Sequence, residues 1–205
     1  MAKAKKSKRK SSVRRATRST RSTRAASSDA IALLKADHRE VEELFEQFAS
    51  TGSDSRKQDL ARKVCQALKV HTQIEAEIFY PSFLQATDEE DIHHEAEIEH
   101  QGATRLIEDV EASGPDDEYF DAKVKVLSEM IKHHVNEEEK RDGMFAKARQ
   151  SDMNLEEIGE RLASRKAEIM SEMQGPQQTR SSRNSRKTAR AGVGTPLRGI
   201  STAHR

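Results

Sequence analysis

His71-Thr72-Gln73-Ile74-Glu75-Ala76-Glu77-Ile78-Phe79-Tyr80-Pro81 is the stretch that decides the fold. It sets a histidine and a carboxylate four residues apart. On an α-helix that spacing puts both side chains on one face, one turn apart. The same pair recurs in His134-Val135-Asn136-Glu137-Glu138. Each pair lies within an apolar stripe at helical steps. One stripe reads Leu60, Val64, Leu68, His71, Glu75, Ile78; the other reads Phe120, Val124, Leu127, Ile131, His134, Glu138, Phe145. Two further stripes carry one histidine each. These are Ile31, Leu34, His38, Val41, Phe45, Phe48 and Ile92, Ala96, His100, Ala103, Ile107, Val110.

Turn and cap signals separate the stripes. Order begins near Ser28-Asp29, and Thr51-Gly52-Ser53-Asp54-Ser55 ends the first helix and caps the second. Thr87-Asp88-Glu89-Glu90 and Ser113-Gly114-Pro115-Asp116 mark the next two boundaries. Tyr80-Pro81 predicts an interruption of regular helix, since the residue before a proline avoids the helical region. A fifth helix is predicted from Leu155 to about Met173, carrying Leu155, Ile158, Leu162 and Ile169 and stopped by Gly175-Pro176. Four such helices joined by short loops predict an all-α, up-down-up-down four-helix bundle over 29–149. The additional C-terminal helix, within 150–174, is expected to pack across one end or alongside.

Charge is segregated along the chain. Residues 1–28 hold eleven Lys/Arg and no acid, and residues 175–205 hold seven and no acid. The middle carries 18 Lys/Arg against 35 Asp/Glu, a formal −17 behind an overall +1. An acidic folded body with two basic, disordered tails is the expectation. Such arms bind nucleic acid or other polyanions by phosphate neutralisation, without sequence selectivity. No aromatic residue is interleaved with the basic ones, so base stacking has no support. A single cysteine, Cys65, excludes an intramolecular disulfide framework and fits a reducing, cytoplasmic setting. No apolar run approaches the ~18 residues of a membrane span, and no signal-peptide core is visible.

The histidines and glutamates carry the chemistry. A polar side chain inside an apolar stripe needs a partner, because burying it unpaired costs several kcal/mol. Four stripes each carry a histidine, and two add a glutamate one turn on. A cation at the bundle centre would resolve all six groups together. Four imidazole nitrogens and two carboxylates suit iron, manganese or zinc, and the lack of thiolates argues against copper(I) or a cluster. If both carboxylates bridge, the chain supplies four nitrogens and four oxygens toward the about twelve positions of two octahedral ions. The shortfall leaves room for water or a small exogenous ligand such as dioxygen.

These segments resemble a known family. Asp37-His38-Arg39-Glu40-Val41, the run from His71 to Pro81, Glu99-His100 ahead of Leu106-Ile107, and His133-His134-Val135-Asn136-Glu137-Glu138-Glu139 are similar to the hemerythrin-like HHE cation-binding domain. The resemblance covers about 29–149. It implies a four-helix bundle holding a non-haem di-iron centre, two Fe per chain, with bridging carboxylates. It implies the handling of oxygen, nitric oxide or peroxide, or iron sensing. Carried over by position, the ligands are His38, His71, Glu75, His100, His134 and Glu138. The chain lacks the further third-helix histidine and the more distant fourth-helix Asp of oxygen-carrying hemerythrins, which argues against reversible oxygen transport. Arg141-Asp142-Gly143-Met144-Phe145 stands where relatives carry an apolar-Pro element and predicts a looser end of the bundle.

Some assignments stay open at this level. His133 and Glu137 are also four apart; the cleaner stripe and the resemblance favour His134 and Glu138. Glu97, one turn before His100, is either a further carboxylate of the site or a solvated acid. His93 and His94 read as surface or helix-end groups, and Tyr80 as a packing residue within reach of the site. Three functions compete: a metal-binding protein that binds or senses a small ligand; a redox enzyme on the same centre, decomposing peroxide or oxidising iron; and a metal-free helical protein that binds nucleic acid through its tails.

Overall fold

Asp29 opens the fold. Its carboxylate accepts the Ala32 backbone N–H at 2.8 Å, capping helix α1 (Ala30–Ser50). The computed structural model describes residues 29–175; the two basic tails, expected to be disordered, lie outside the described residues. Ser53 caps α2 (Asp54–Ile74) through the Arg56 N–H. α4 (Glu90–Glu111) and α5 (Phe120–Glu139) follow a short helix α3 (Tyr80–Ala86), and α6 (Met144–Gln150) and α7 (Leu155–Gln174) complete the series. Asn154 caps α7 by accepting from Glu157 N–H, and Gly175, at φ +51°, ends it in a conformation that only glycine adopts freely. All regular structure among the described residues is helical, with no strand.

The packing follows the sequence order. α1 packs on α2, α2 on α4, α4 on α5, and α5 closes back on α1, which is the expected up-down-up-down bundle. α7 lies alongside α1 and α2. The apolar stripes form two clusters. One, toward the α1–α2 and α4–α5 loops, gathers Val41, Phe45, Phe48, Leu60, Val64, Leu68, Ile107, Phe120, Val124 and Leu127. The other gathers Ile31, Leu34, Ile74, Phe79, Tyr80, Phe83, Met144, Phe145 and Leu162, drawing on α1, α3, α6 and α7. Buried polar residues sit between them: Asp37, His38, His71, Glu75, His134 and Glu138.

Two expectations are corrected here. The interruption predicted at Tyr80-Pro81 does not occur. Between Glu75 and Phe79 the helix instead widens into a π-turn, in which the Tyr80 N–H reaches back to the Glu75 carbonyl. Helix resumes as α3 with Pro81 in its first turn, where a missing N–H is tolerated. The extra residue lets Ile78, Phe79 and Tyr80, three in succession, all be buried. Arg165 of α7 clamps this turn by pairing with both carboxylate oxygens of Glu77, at 2.6 and 3.1 Å.

The fourth stripe was expected to run through to Phe145 with a loose end. Helix α5 stops at Glu139 and the chain turns sharply into α6. Gly143 makes that turn possible: a Cβ there would overlap the Glu137 carbonyl oxygen and lie 2.8 Å from that of Glu138. The result is tight, with Met144, Phe145 and Ala148 all buried. The sequence pattern could not show this, because a closely packed turn and a loose one share the same short polar composition.

Candidate metal centre

The helices deliver four imidazoles to one point between the two apolar clusters. His38 comes from the middle of α1, His71 from the last turn of α2, His100 from α4 and His134 from α5. They converge in two pairs. His38 Nε2 and His71 Nε2 are 3.1 Å apart, and His100 Nε2 and His134 Nε2 are also 3.1 Å apart. Two glutamates join the pairs. Glu75 Oε2 lies 3.2 Å from His71 Nε2 and 3.4 Å from His100 Nε2. Glu138 Oε2 lies 3.4 Å from His38 Nε2 and 3.6 Å from His134 Nε2. Each carboxylate therefore reaches one ring of each pair.

The outer faces of the rings are held by acids. His38 Nδ1 is 2.8 Å from Glu139 Oε1, and His134 Nδ1 is 2.8 Å from Glu99 Oε2. His71 Nδ1 faces Asp37 Oδ2 at 3.6 Å, and Asp37 is in turn held by Lys166 of α7. An Nδ1–H donated to a carboxylate fixes the neutral ring in the tautomer whose Nε2 lone pair faces inward. Where both rings of a pair take that tautomer, their Nε2 lone pairs, 3.1 Å apart, repel unless a cation or proton stands between them. Sequence reasoning did not find these outer acids. Asp37, Glu99 and Glu139 directly precede or follow a candidate histidine or glutamate, but so do many other acids in a chain this acidic.

Burial sharpens the need for positive charge. Glu75 is fully buried, and neither of its carboxylate oxygens has a hydrogen-bond partner; Glu138 Oε2 also lacks one. Burial and the neighbouring Glu138 and Asp37 charges push the Glu75 carboxyl well above the usual range in the metal-free chain. Burial also raises Glu138, but His134, His38 and His71 overcome it and hold it down to about 2. Burial, with His134 close by, pushes His100 down to about 3, so its ring is neutral and free to act as a ligand. Two donor groups result: His38, His71, Glu75 and Glu138, and Glu75, His100 and His134, each able to hold a cation and sharing Glu75.

The residues left open take different positions. His134 and Glu138 are buried at the centre, whereas His133 is exposed and the Glu137 carboxylate pairs with Lys140. Glu97 points away, exposed, toward His93 at 3.6 Å. His94 is exposed, and His93 is partly buried with its ring edge-on to Tyr80. Tyr80 is more than packing. Its hydroxyl lies 3.2 Å from His100 Nε2 and 3.3 Å from Glu138 Oε1, and burial raises its pKa well above the ordinary value.

Fold and site together define a class: a helical bundle whose core holds paired imidazoles and shared carboxylates suited to cations. A family model described as Hemerythrin HHE cation binding domain matches residues 29–146, and the chain belongs to this family. A crystal structure of a Hemerythrin HHE cation binding domain-containing protein from Mycobacterium kansasii shares the fold. Its TM-score is 0.60 at 22% identity, covering 71% of this chain and 89% of that one. A curated protein named DNA nickase, from Nostoc sp., is 26% identical over 110 residues. The match takes in 52% of this chain and spans 30% of the Nostoc protein's length. Among the described residues no helix is long and apolar enough to cross a membrane.

Proposed function

We propose that the chain is a non-haem di-iron protein that binds or senses a small ligand such as dioxygen, nitric oxide or peroxide. One observation carries the reading: each of the two buried carboxylates reaches one histidine of each pair. His38 and His71 would hold one ion, His100 and His134 the other, with Glu75 and Glu138 shared between them. Their all-nitrogen and oxygen donor set suits iron, with manganese or zinc as competitors. When bound, the metal pair supplies redox change and open coordination positions. The chain supplies the rest. The Tyr80 hydroxyl can donate toward whatever occupies the space beside His100. A groove of about 470 Å³ between the α2–α3 segment and α4 reaches both Tyr80 and His100 from solvent. A void of about 10 Å³, bounded by His38, His71, His100 and His134 and by Val41, Leu68, Ile131 and Val135, leaves space for no more than about one water-sized group.

The test is metal content and absorption of the oxidised protein. About two irons per chain with near-ultraviolet charge-transfer bands are expected, and a His71→Ala/Glu75→Ala variant should lose them. Full iron content in that variant would overturn the assignment. Peroxide consumption per iron separates the sensor from an enzyme on the same centre, since a sensor shows no turnover.

A second reading concerns the tails. Eighteen Lys/Arg on acid-free ends, and a relative named as a DNA nickase, support association with DNA alongside metal binding. Retention on DNA that falls steeply with salt, and is lost when 1–28 and 176–205 are removed, is the expected result.

A further inference from the structure

A third group of cation-ligating side chains lies outside the buried centre. Glu95 and Glu99 stand one turn apart on α4, and His133 faces them from α5, with one donor atom from each within 4.8 Å of the others. Glu95 and His133 are exposed, and Glu99 is half-buried. Glu99 belongs to both layers. Its Oε1 lies 3.2 Å from His133 Nε2, and its Oε2 lies 2.8 Å from His134 Nδ1. A single carboxylate thus touches the outer group and a ring of the inner one.

A cavity of about 280 Å³ runs along the α4 side of this group. Glu95 and Glu99 line it, and it reaches down to His134 and Glu138. Glu138 is 2% exposed and its Oε2 has no hydrogen-bond partner. That oxygen faces His38 and His134 in the buried centre, so the cavity leads from the outer group to a cation-ligating carboxylate of the inner one. Two lysines also line the cavity, but their ammonium groups are engaged: Lys140 by Glu137 and Lys147 by Glu89.

We propose that Glu95, Glu99 and His133 form an outer capture site for a divalent transition-metal ion, Fe²⁺ above all, and that the cavity delivers it to the buried centre. The inference rests on the di-iron reading of that centre. Two carboxylates and one imidazole at the surface hold a partly hydrated ion weakly, with positions left for water. Weak holding is what a relay needs, since a tight outer site would keep the ion. An acidic mouth on an acidic body raises the local cation concentration and the entry rate. Glu99 can engage an ion through Oε1 while Oε2 keeps His134 in place. The ion crosses as Fe²⁺ with no electron transfer, exchanging water for protein donors. This entrance and the groove at His100 lie on different faces of α4, so cation and small ligand have separate routes.

The test loads the full-length apoprotein anaerobically with limiting Fe²⁺ and follows uptake against a chromophoric chelator. Three forms are compared: wild type, Glu95→Gln/His133→Asn, and Glu97→Gln, which removes one acid from the other face. The double variant should load about tenfold more slowly yet reach the same final iron content. The Glu97→Gln protein should load like wild type. Equal rates in wild type and double variant overturn the capture site. Equal slowing in Glu97→Gln also overturns it, leaving only bulk charge. Mn²⁺ titration of the iron-loaded protein, read by electron paramagnetic resonance, should show one weak site in wild type and none in the double variant. The same Mn²⁺ binding in both would overturn the proposal. A wild-type protein that holds no iron at all brings down the di-iron reading itself, a different result from any of these.

Discussion

The two ends of the bundle are built differently. At the end holding Phe45, Phe48, Leu60, Leu127 and Ile107, four regular helices close over one another with unbroken stripes. At the other end, the π-turn, α3, the Gly143 corner, α6 and α7 cover Phe79, Phe83 and Phe145. The regular end makes a bundle. The irregular end aims its polar groups, since Glu75 begins the π-turn, Glu138 lies one residue before the end of α5, and Lys166 of α7 holds Asp37 behind His71. Both apolar layers therefore carry stability, but ligand geometry depends on the irregular one.

Truncating one large side chain in each layer tests this most strongly. Leu127→Ala should cost about 2–5 kcal/mol in the metal-free protein, and Phe79→Ala about 3–5 kcal/mol. Both are read by denaturant unfolding. The two should separate in metal retention, which stays at the wild-type level for Leu127→Ala and falls for Phe79→Ala. Equal retention would break the distinction between the ends. Gly143→Ala should have the next largest effect, about 1–3 kcal/mol of overpacking, because the α5 terminus must shift to admit the methyl group. Metal content should drop with it, since Glu138 rides on that terminus. A Gly143→Ala variant with unchanged stability and metal content would show that the corner has slack.

The smallest effect concerns the Glu77–Arg165 clamp and depends on pH. Arg165 and Gln73 hold the Glu77 carboxyl down to about 2, against 4.5 for a free one. A depressed carboxyl contributes stability that is full above pH 4.5 and is lost as pH falls toward 2. Glu77→Gln should lower Tm slightly at pH 7, and its difference from wild type should shrink across that interval. A difference independent of pH would mean the clamp acts through packing and not through charge.

The same division explains what could be read from the sequence. The four stripes, their histidines and the two His-x₃-Glu pairs were legible because straight helices convert spacing directly into a face. His71, Glu75, His134 and Glu138 all lie where the stripes put them, buried between the two clusters. The π-turn was not legible. It depends on whether a helix finds it easier to widen than to stop at Pro81, and that depends on what packs against Phe79 and Tyr80. Nor could the outer acids be read. Glu99 and Glu139 gain their meaning from ring atoms 35 and 101 residues away in the chain, and local pattern carries no trace of that.

The π-turn also sets a phase. Each residue in a helix advances the face by about 100°, so the one extra residue in this turn resets the angular register of everything after it. Upstream, the helix keeps time with α1 and α4, and Glu75 faces the centre. Downstream, it keeps time with the cap, and Tyr80 and Phe83 face inward. Deleting one residue here would leave every other side chain chemically intact and swing the Tyr80 hydroxyl about a quarter-turn away from His100. In this stretch chain length is itself a determinant of chemistry, and a relative that differs by a single insertion or deletion between Glu75 and Tyr80 would present a different second face to the same four histidines.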